Sequence, residues 1–167
     1  MEGRQFHNRI EFRVVENQTW HGRSIQILID GRDLTDRLRE YEVFLAWREA
    51  NMHQAGRYAG VPEHHWRAFT TALLVQGNQE GIGSLLGAPG KVMVLTCECG
   101  EACCWPMFAR VTLGNGVVTW DGFEQVYRPS WDYSRFGPFV FEPGQYRTAI
   151  MNLVRTLLPT VQERKSA

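Results

Sequence analysis

Gly114-Asn115-Gly116 lies between two runs whose residues alternate in polarity, Arg110 to Gly114 and Val117 to Asp121. Asn and Gly tolerate the positive φ angles of a two-residue hairpin turn, so Asn115-Gly116 is the strongest constraint on how this chain can pair with itself. A two-residue turn sets the register: Gly114 opposes Val117, Leu113 Val118, Thr112 Thr119, Val111 Trp120, and Arg110 Asp121. One face then collects Val111, Leu113, Val118 and Trp120, while the other carries the threonine pair and an Arg110-Asp121 ion pair. Upstream, Val92 to Cys97 reads as a third strand, with Met93, Leu95, Cys97 and Cys99 on one side by the two-residue period. Three consecutive strands make a meander.

Near the N-terminus Ile10, Phe12 and Val14 alternate with polar residues, and Ile25, Ile27 and Ile29 share one face of a second strand-like run. Asp30-Gly31 supplies a tight turn. Thr35 is placed to cap a helix running to about Asn51, with Leu34, Leu38, Tyr41 and Leu45 as its apolar stripe, packed on the first hairpin. Gly56 to Pro62 reads as a connection into a second helix carrying His64, His65, Trp66, Phe69, Leu73 and Leu74. Gly77 to Gly90 reads as loop, and no Gly-Lys-Ser/Thr follows it to make a phosphate cradle. A closing helix is expected from about Gly144 to Leu158, burying Ile150, Leu153, Val154, Leu157 and Val161. These elements predict an α+β fold, an antiparallel β-sheet of N-terminal hairpin plus C-terminal meander, packed with about three helices. At 167 residues, 44% hydrophobic and 22% charged, the chain is read as one domain spanning 1–167 with a core of its own.

Charge narrows the partners. With 18 basic and 18 acidic residues the formal charge is zero, so no global field draws in nucleic acid or an anionic membrane. No apolar run has the length of a signal peptide or a membrane span, which leads to the expectation of a cytoplasmic protein with reduced thiols.

Against that background Cys97-Glu98-Cys99-Gly100-Glu101-Ala102-Cys103-Cys104 is the most unusual segment. Soft thiolates favour zinc, and Gly100 gives the chain freedom to fold its ligands inward. The spacing departs from the two separated pairs of common zinc modules, and vicinal Cys103 and Cys104 tend to point apart. A zinc site is therefore expected to use three of the four cysteines plus a remote ligand, with His64 or His65 the first candidates; on a helix these two diverge by about 100° and cannot both face one site. Two other readings stand beside metal. Cys97 and Cys99 can be small buried residues continuing the Met93-Leu95 face, and Cys103 or Cys104 can be a reactive thiol, although Glu98 and Glu101 oppose thiolate formation.

The motifs Cys97-x-Cys99-Gly100-x-x-x-Cys104-Trp105-Pro106, Trp120-x-x-Phe123-x-Gln125-x-x-Arg128 and Trp131-x-Tyr133-x-x-x-Gly137-Pro138-Phe139-x-Phe141, with Leu85-Leu86-Gly87 and Tyr146, cover the C-terminal two thirds. Together they resemble a widespread family of small bacterial proteins marked by C-x-C-G-x-x-G-C-W-P, to which no activity is attached. Ile29-Asp30-Gly31-x-x-Leu34 resembles that family's N-terminal turn more weakly. Against the family pattern, Cys103 stands where glycine is usual, and Val126-Tyr127-Arg128 where Pro-His-Arg is usual. The resemblance thus implies that a site built from three cysteines and that histidine has lost its fourth ligand to Tyr127, with Cys103 the nearby compensation.

The aromatic stretch from Tyr127 to Phe141 has two readings. Interleaved with Arg128 and Arg135, it can form a stacking surface for a partner; alternatively Trp131, Phe136, Phe139 and Phe141 plug one end of the sheet. Arg128, Trp131, Tyr127 and Arg135 are the candidate ligand or partner surface, with Arg128 and Trp131 expected to reach it. Glu63, Glu98, Glu101, Asp121 and Glu124 form no recognisable acid-base pair, and no Ser/His/Asp signature is present. The first functional expectation is a non-catalytic protein-interaction or regulatory module, of immunity or anti-defence type. The alternative is a zinc-binding or thiol-reactive protein or enzyme centred on Cys97, Cys99 and Cys104.

Overall fold

A computed structural model describes residues 6–75 and 82–158. In chain order its elements are β1 (Ile10–Asn17), β2 (Gly22–Ile29), β3 (Arg32–Asp33), α1 (Leu34–Arg48), β4 (Tyr58–Ala59), β5 (Val61–Pro62), α2 (Trp66–Leu74), α3 (Ile82–Leu85), β6 (Val92–Cys97), β7 (Met107–Gly114), β8 (Val117–Gln125), β9 (Phe139–Phe141) and α4 (Pro143–Leu157). The fold is α+β, and its strands form two antiparallel sheets, of four and five strands.

The first sheet is built on β2, whose Ile25, Ile27 and Ile29 are all fully buried. β1 pairs along one edge of it from Ile10↔Ile29 to Asn17↔Gly22. β3 returns through the Asp30-Gly31 turn, and β5 pairs Ser24↔Pro62 and Ile25↔Val61. Asp33, rather than Thr35, caps α1: its Oδ1 accepts the Thr35 N–H at 2.7 Å. The helix ends at Arg48, three residues short of the expected Asn51, because the chain turns through Ala50 at a φ of 54°. Its buried stripe is Leu34, Leu38, Glu42 and Ala46, flanked by half-buried Tyr41 and Leu45.

The second sheet has the order β4-β6-β7-β8-β9. Asn115 and Gly116 take φ angles of 51° and 74°, as the two-residue turn requires, and the register runs from Arg110↔Asp121 to Gly114↔Val117 as the sequence predicts. Arg110 Nε reaches Asp121 Oδ1 at 2.8 Å. Val111, Val118 and Trp120 are buried, whereas Leu113, expected with them, is 50% exposed because the hairpin tip extends past the core. The regular ladder also stops short. The pairs Phe108↔Glu124 and Arg110↔Asp121 leave one extra residue on β8, a bulge, and a second irregularity falls on β6 between Met93 and Leu95. That break separates the expected common face: Met93 joins a small cluster with Ala88, Ala102 and Phe108, and Leu95 joins the main core.

The Gly77–Gly90 segment, expected as loop, contains the short helix α3; positions 77–81 lie outside the described residues. At the C-terminal end Glu142 caps α4 through both carboxylate oxygens, to Gly144 N at 2.8 Å and Gln145 N at 2.6 Å, with Pro143 in the first turn. The helix buries Tyr146, Ala149, Ile150, Leu153 and Leu157 and half-buries Val154; Val161 lies outside the described residues. It lies on β1, where the Gln145 amide bonds both backbone groups of Ile10. The aromatic stretch is largely core: Trp131, Tyr133, Phe136, Phe139 and Phe141 are all buried. One apolar cluster running from Ile10 to Leu157 joins both sheets to α1, α2 and α4. Among the described residues no helix is long and apolar enough to cross a membrane.

Candidate metal centre

The cysteine segment begins where β6 ends. Tyr58↔Cys97 and Ala59↔Thr96 are the ladder pairs between β4 and β6, and Glu98 N continues them by donating to Arg57 O at 3.1 Å. The chain then reverses, with Gly100 N bonded to Cys97 O at 2.9 Å and Cys104 N to Glu101 O at 3.2 Å. Gly100 has a φ of +90°, and a Cβ there would stand 2.9 Å from ring atoms of Trp20. Only glycine meets both demands, since it takes the left-handed conformation freely and leaves room for the indole.

This reversal brings the sulfurs of Cys97, Cys99 and Cys104 within 4.8 Å of one another. Around a tetrahedral zinc with Zn–S bonds of about 2.3 Å, sulfurs stand roughly 3.8 Å apart, so a small inward movement closes the three onto one ion. Cys97 is buried, whereas Cys99, expected beside it on a buried face, is exposed, as is Cys104. Cys103 is also exposed and its sulfur is not one of the converging three. The histidines are not members of the cluster either. His64 and His65 sit in a 3-10 turn, Glu63–His65, ahead of α2 rather than on the helix, and their rings lie 4.3 Å apart instead of diverging. Burial lowers the pKa of His65, neighbouring His64 lowers it further, and Glu101 opposes both.

Cys97 and Cys99 are electrostatically unequal. Burial pushes Cys97 up to about 12, with the Cys99 and Cys104 sulfurs adding to the rise. Cys99 is lowered, chiefly by the backbone N–H of Glu101 and next by the Cys97 thiol. Glu101 therefore assists a thiolate through its backbone, where the sequence suggested only opposition from its carboxylate. Glu98 is neutralised by Arg57, whose Nε and Nη2 reach its Oε1 at 2.8 and 2.7 Å. A buried thiol such as Cys97 ionises readily only beside a cation, which a bound metal supplies.

Beside Cys97 and Cys104 is a pocket of about 70 Å³, completed by Gln54, Arg57 and Trp105. Trp105 stacks near Tyr127 at 6.5 Å and meets Trp131 edge-on at 6.2 Å, and the Arg128 guanidinium lies 5.0 Å over its ring. Arg128 is held by Gln54 Oε1, at 3.0 and 2.6 Å, and by Glu49 Oε2 at 3.2 Å. Trp131, expected to reach a partner, is buried and donates Nε1–H to Glu49 Oε1 at 2.9 Å. Tyr127 donates its hydroxyl to Cys103 O at 2.5 Å. Three of the four residues read as a partner surface thus build the wall behind the cysteine pocket, and Arg135 stands apart, exposed beside Asp132.

Sequence reasoning missed Glu42. It is fully buried on α1, accepting the hydroxyls of Tyr58 at 2.7 Å and Tyr133 at 2.6 Å on Oε1 and the Gly56 N–H at 2.7 Å on Oε2. Burial raises its pKa despite these donors. The signal was its position, four residues after Leu38 and four before Ala46 on the buried stripe. Comparison with family models, with curated proteins and with solved structures finds no match to this chain.

Proposed function

We propose that this protein is a zinc-binding module in which Cys97, Cys99 and Cys104 hold the ion. The supporting observation is the convergence of three sulfurs within 4.8 Å at the end of a strand anchored in the core. Three soft donors favour zinc over the hard divalent cations, which take oxygen. Cys97 fixes the site to β6, Cys99 presents a thiol that the Glu101 backbone N–H helps to ionise, and Cys104 closes the turn. When bound, zinc supplies a Lewis acid and a template that holds the turn. The test is elemental analysis with thiol counting on purified protein. The expected result is one zinc per chain with three protected thiols, and a loss of affinity on changing Cys97, Cys99 or Cys104 to Ser. Metal-free protein that fails to take up zinc refutes the reading.

A second reading, a non-catalytic interaction module, is favoured by a different feature. Phe44 and Trp47 on α1 stack on one another at 6.0 Å while 64% and 62% exposed, with Val43 and Met52 also exposed. Exposed aromatics of this kind anchor protein interfaces. Its test is capture of host proteins by wild type and by the Phe44→Ser, Trp47→Ser double variant; equal recovery from both sinks it.

A further inference from the structure

We infer that the fourth coordination position of this centre is left open by the protein and is filled from the Gln54–Trp105 pocket by a small exogenous thiol, bound as its thiolate. This rests on the zinc reading and deepens it. Among the described residues the converging donors number three, one short of a closed tetrahedral site. The other pocket residues have nothing to offer a metal. Arg57 and Trp105 carry N–H donors and no lone pair, and Gln54 Oε1 already accepts two bonds from Arg128, at 3.0 and 2.6 Å. Cys103 is restrained as well, since Tyr127 holds its carbonyl at 2.5 Å and its sulfur lies outside the converging group.

The pocket itself selects the ligand. Its volume of about 70 Å³ is several times the roughly 10–15 Å³ that one water needs, so it has room for a donor atom with a short stem. Arg57, whose Nε and Nη2 are held by Glu98, lines it, and the Nε1–H of Trp105, another lining residue, is buried without a hydrogen-bond partner. An unpartnered indole N–H beside a cationic side chain suits an anion, and a centre made of thiolates accepts another soft donor. Coordination exchanges a water for R–S⁻ and releases the thiol proton to solvent; no atom changes oxidation state. Catalytic zinc sites keep such an open position, and structural ones do not.

The experiment uses the full chain loaded with Co²⁺, desalted, and titrated with mercaptoethanol. Thiolate-to-cobalt absorption is expected to rise saturably by about one third, as three sulfur ligands become four, with the cobalt retained after a second desalting. Ethanol should do nothing. Cys103→Ser should behave as wild type, and Arg57→Gln, at a half-exposed side chain, should weaken mercaptoethanol binding several-fold. A spectrum indifferent to mercaptoethanol overturns the inference. If four thiols are then protected and Cys103→Ser alters the spectrum, the site is closed by the protein and the zinc reading survives alone. Failure to bind cobalt or zinc at all overturns both.

Discussion

Replacing Glu42 by Gln keeps the shape of the side chain and alters what it can accept. The amide oxygen can still receive the Tyr58 and Tyr133 hydroxyls, but the amide nitrogen then faces the Gly56 N–H at 2.7 Å, donor against donor. An unsatisfied buried donor costs about 1–3 kcal/mol. The expected loss is about 1–3 kcal/mol, or roughly 2–12 °C in Tm for a chain of this size. Urea melts should show the midpoint fall with an unchanged m-value, and a cycle with Tyr133→Phe should return a coupling of about 1 kcal/mol or more. The pH dependence gives a second check. Because burial raises the Glu42 pKa above 4.5, its folded state binds the proton more tightly than its unfolded state. The stability contributed by protonated Glu42 is fully present below the unfolded pKa and is lost as pH rises through the folded value. The cost of Glu42→Gln is therefore largest in acid and shrinks as pH rises through that window. A cost below about 0.5 kcal/mol, or one that grows with pH, refutes this account of the buried carboxyl.

Other substitutions test neighbouring claims. Gly100→Ala forces a side chain onto a +90° φ and toward the Trp20 ring, so it should lower stability by about 1–3 kcal/mol and weaken zinc in a chelator competition. Tyr146→Phe removes the acceptor of the Trp120 indole N–H, a 3.0 Å bond in the core, and should cost about 1–3 kcal/mol in a denaturant melt. Leu113→Thr, at the exposed hairpin tip, should stay within about 0.5 kcal/mol of wild type. Chelation should lower Tm while leaving far-ultraviolet circular dichroism largely intact, because β6 is buried along its length and held by its pairing with β4 and β7; complete unfolding on chelation refutes that reasoning.

The β7-β8 register was legible because turn chemistry and alternation made the same demand on every residue from Arg110 to Asp121. It stopped being legible at the bulge before Glu124, where an extra residue reverses the alternation without any change in composition. β4 and β5 were hidden for a different reason. At two residues each they have no period, and only tertiary pairing with β6 and β2 makes Tyr58–Ala59 and Val61–Pro62 strands. At the start of α1 two capable caps, Asp33 and Thr35, lay two residues apart, and the choice between them follows from the β2-β3 pairing that positions Asp33. The cysteines carried their own chemical signal, and the resemblance to the C-x-C-G-x-x-G-C-W-P pattern set Cys103 apart from Cys97, Cys99 and Cys104. The role of the aromatic stretch was not, since Trp131 and Arg128 look alike as a surface or as a wall until their partners Glu49 and Gln54 are known.

One path of hydrogen bonds connects the cysteine turn to the buried carboxyl. Tyr58, opposite Cys97 in the ladder, donates to Glu42 and accepts from Gln125 Nε2 at 3.3 Å. Gln125 Oε1 in turn accepts the Tyr127 N–H at 3.1 Å, and the Tyr127 hydroxyl holds Cys103 O. Gln125 is 1% exposed and is the link between the two halves, so Gln125→Leu cuts the path while filling a similar volume. Outer residues that orient metal ligands typically change affinity 10- to 100-fold when removed. If the path positions the turn, Gln125→Leu should weaken zinc by about 10-fold in a chelator competition, beyond what its melt predicts, because Tyr127 and the Cys103–Cys104 backbone lose their fixed position. Tyr127→Phe should reproduce part of that loss with little effect on Tm, since it removes only the hydroxyl of a residue that is 41% exposed. Zinc affinity unchanged in both variants, alongside a lowered Tm in Gln125→Leu, would show the path to be a feature of the core alone, with the cysteine turn positioned by β6 and Trp20.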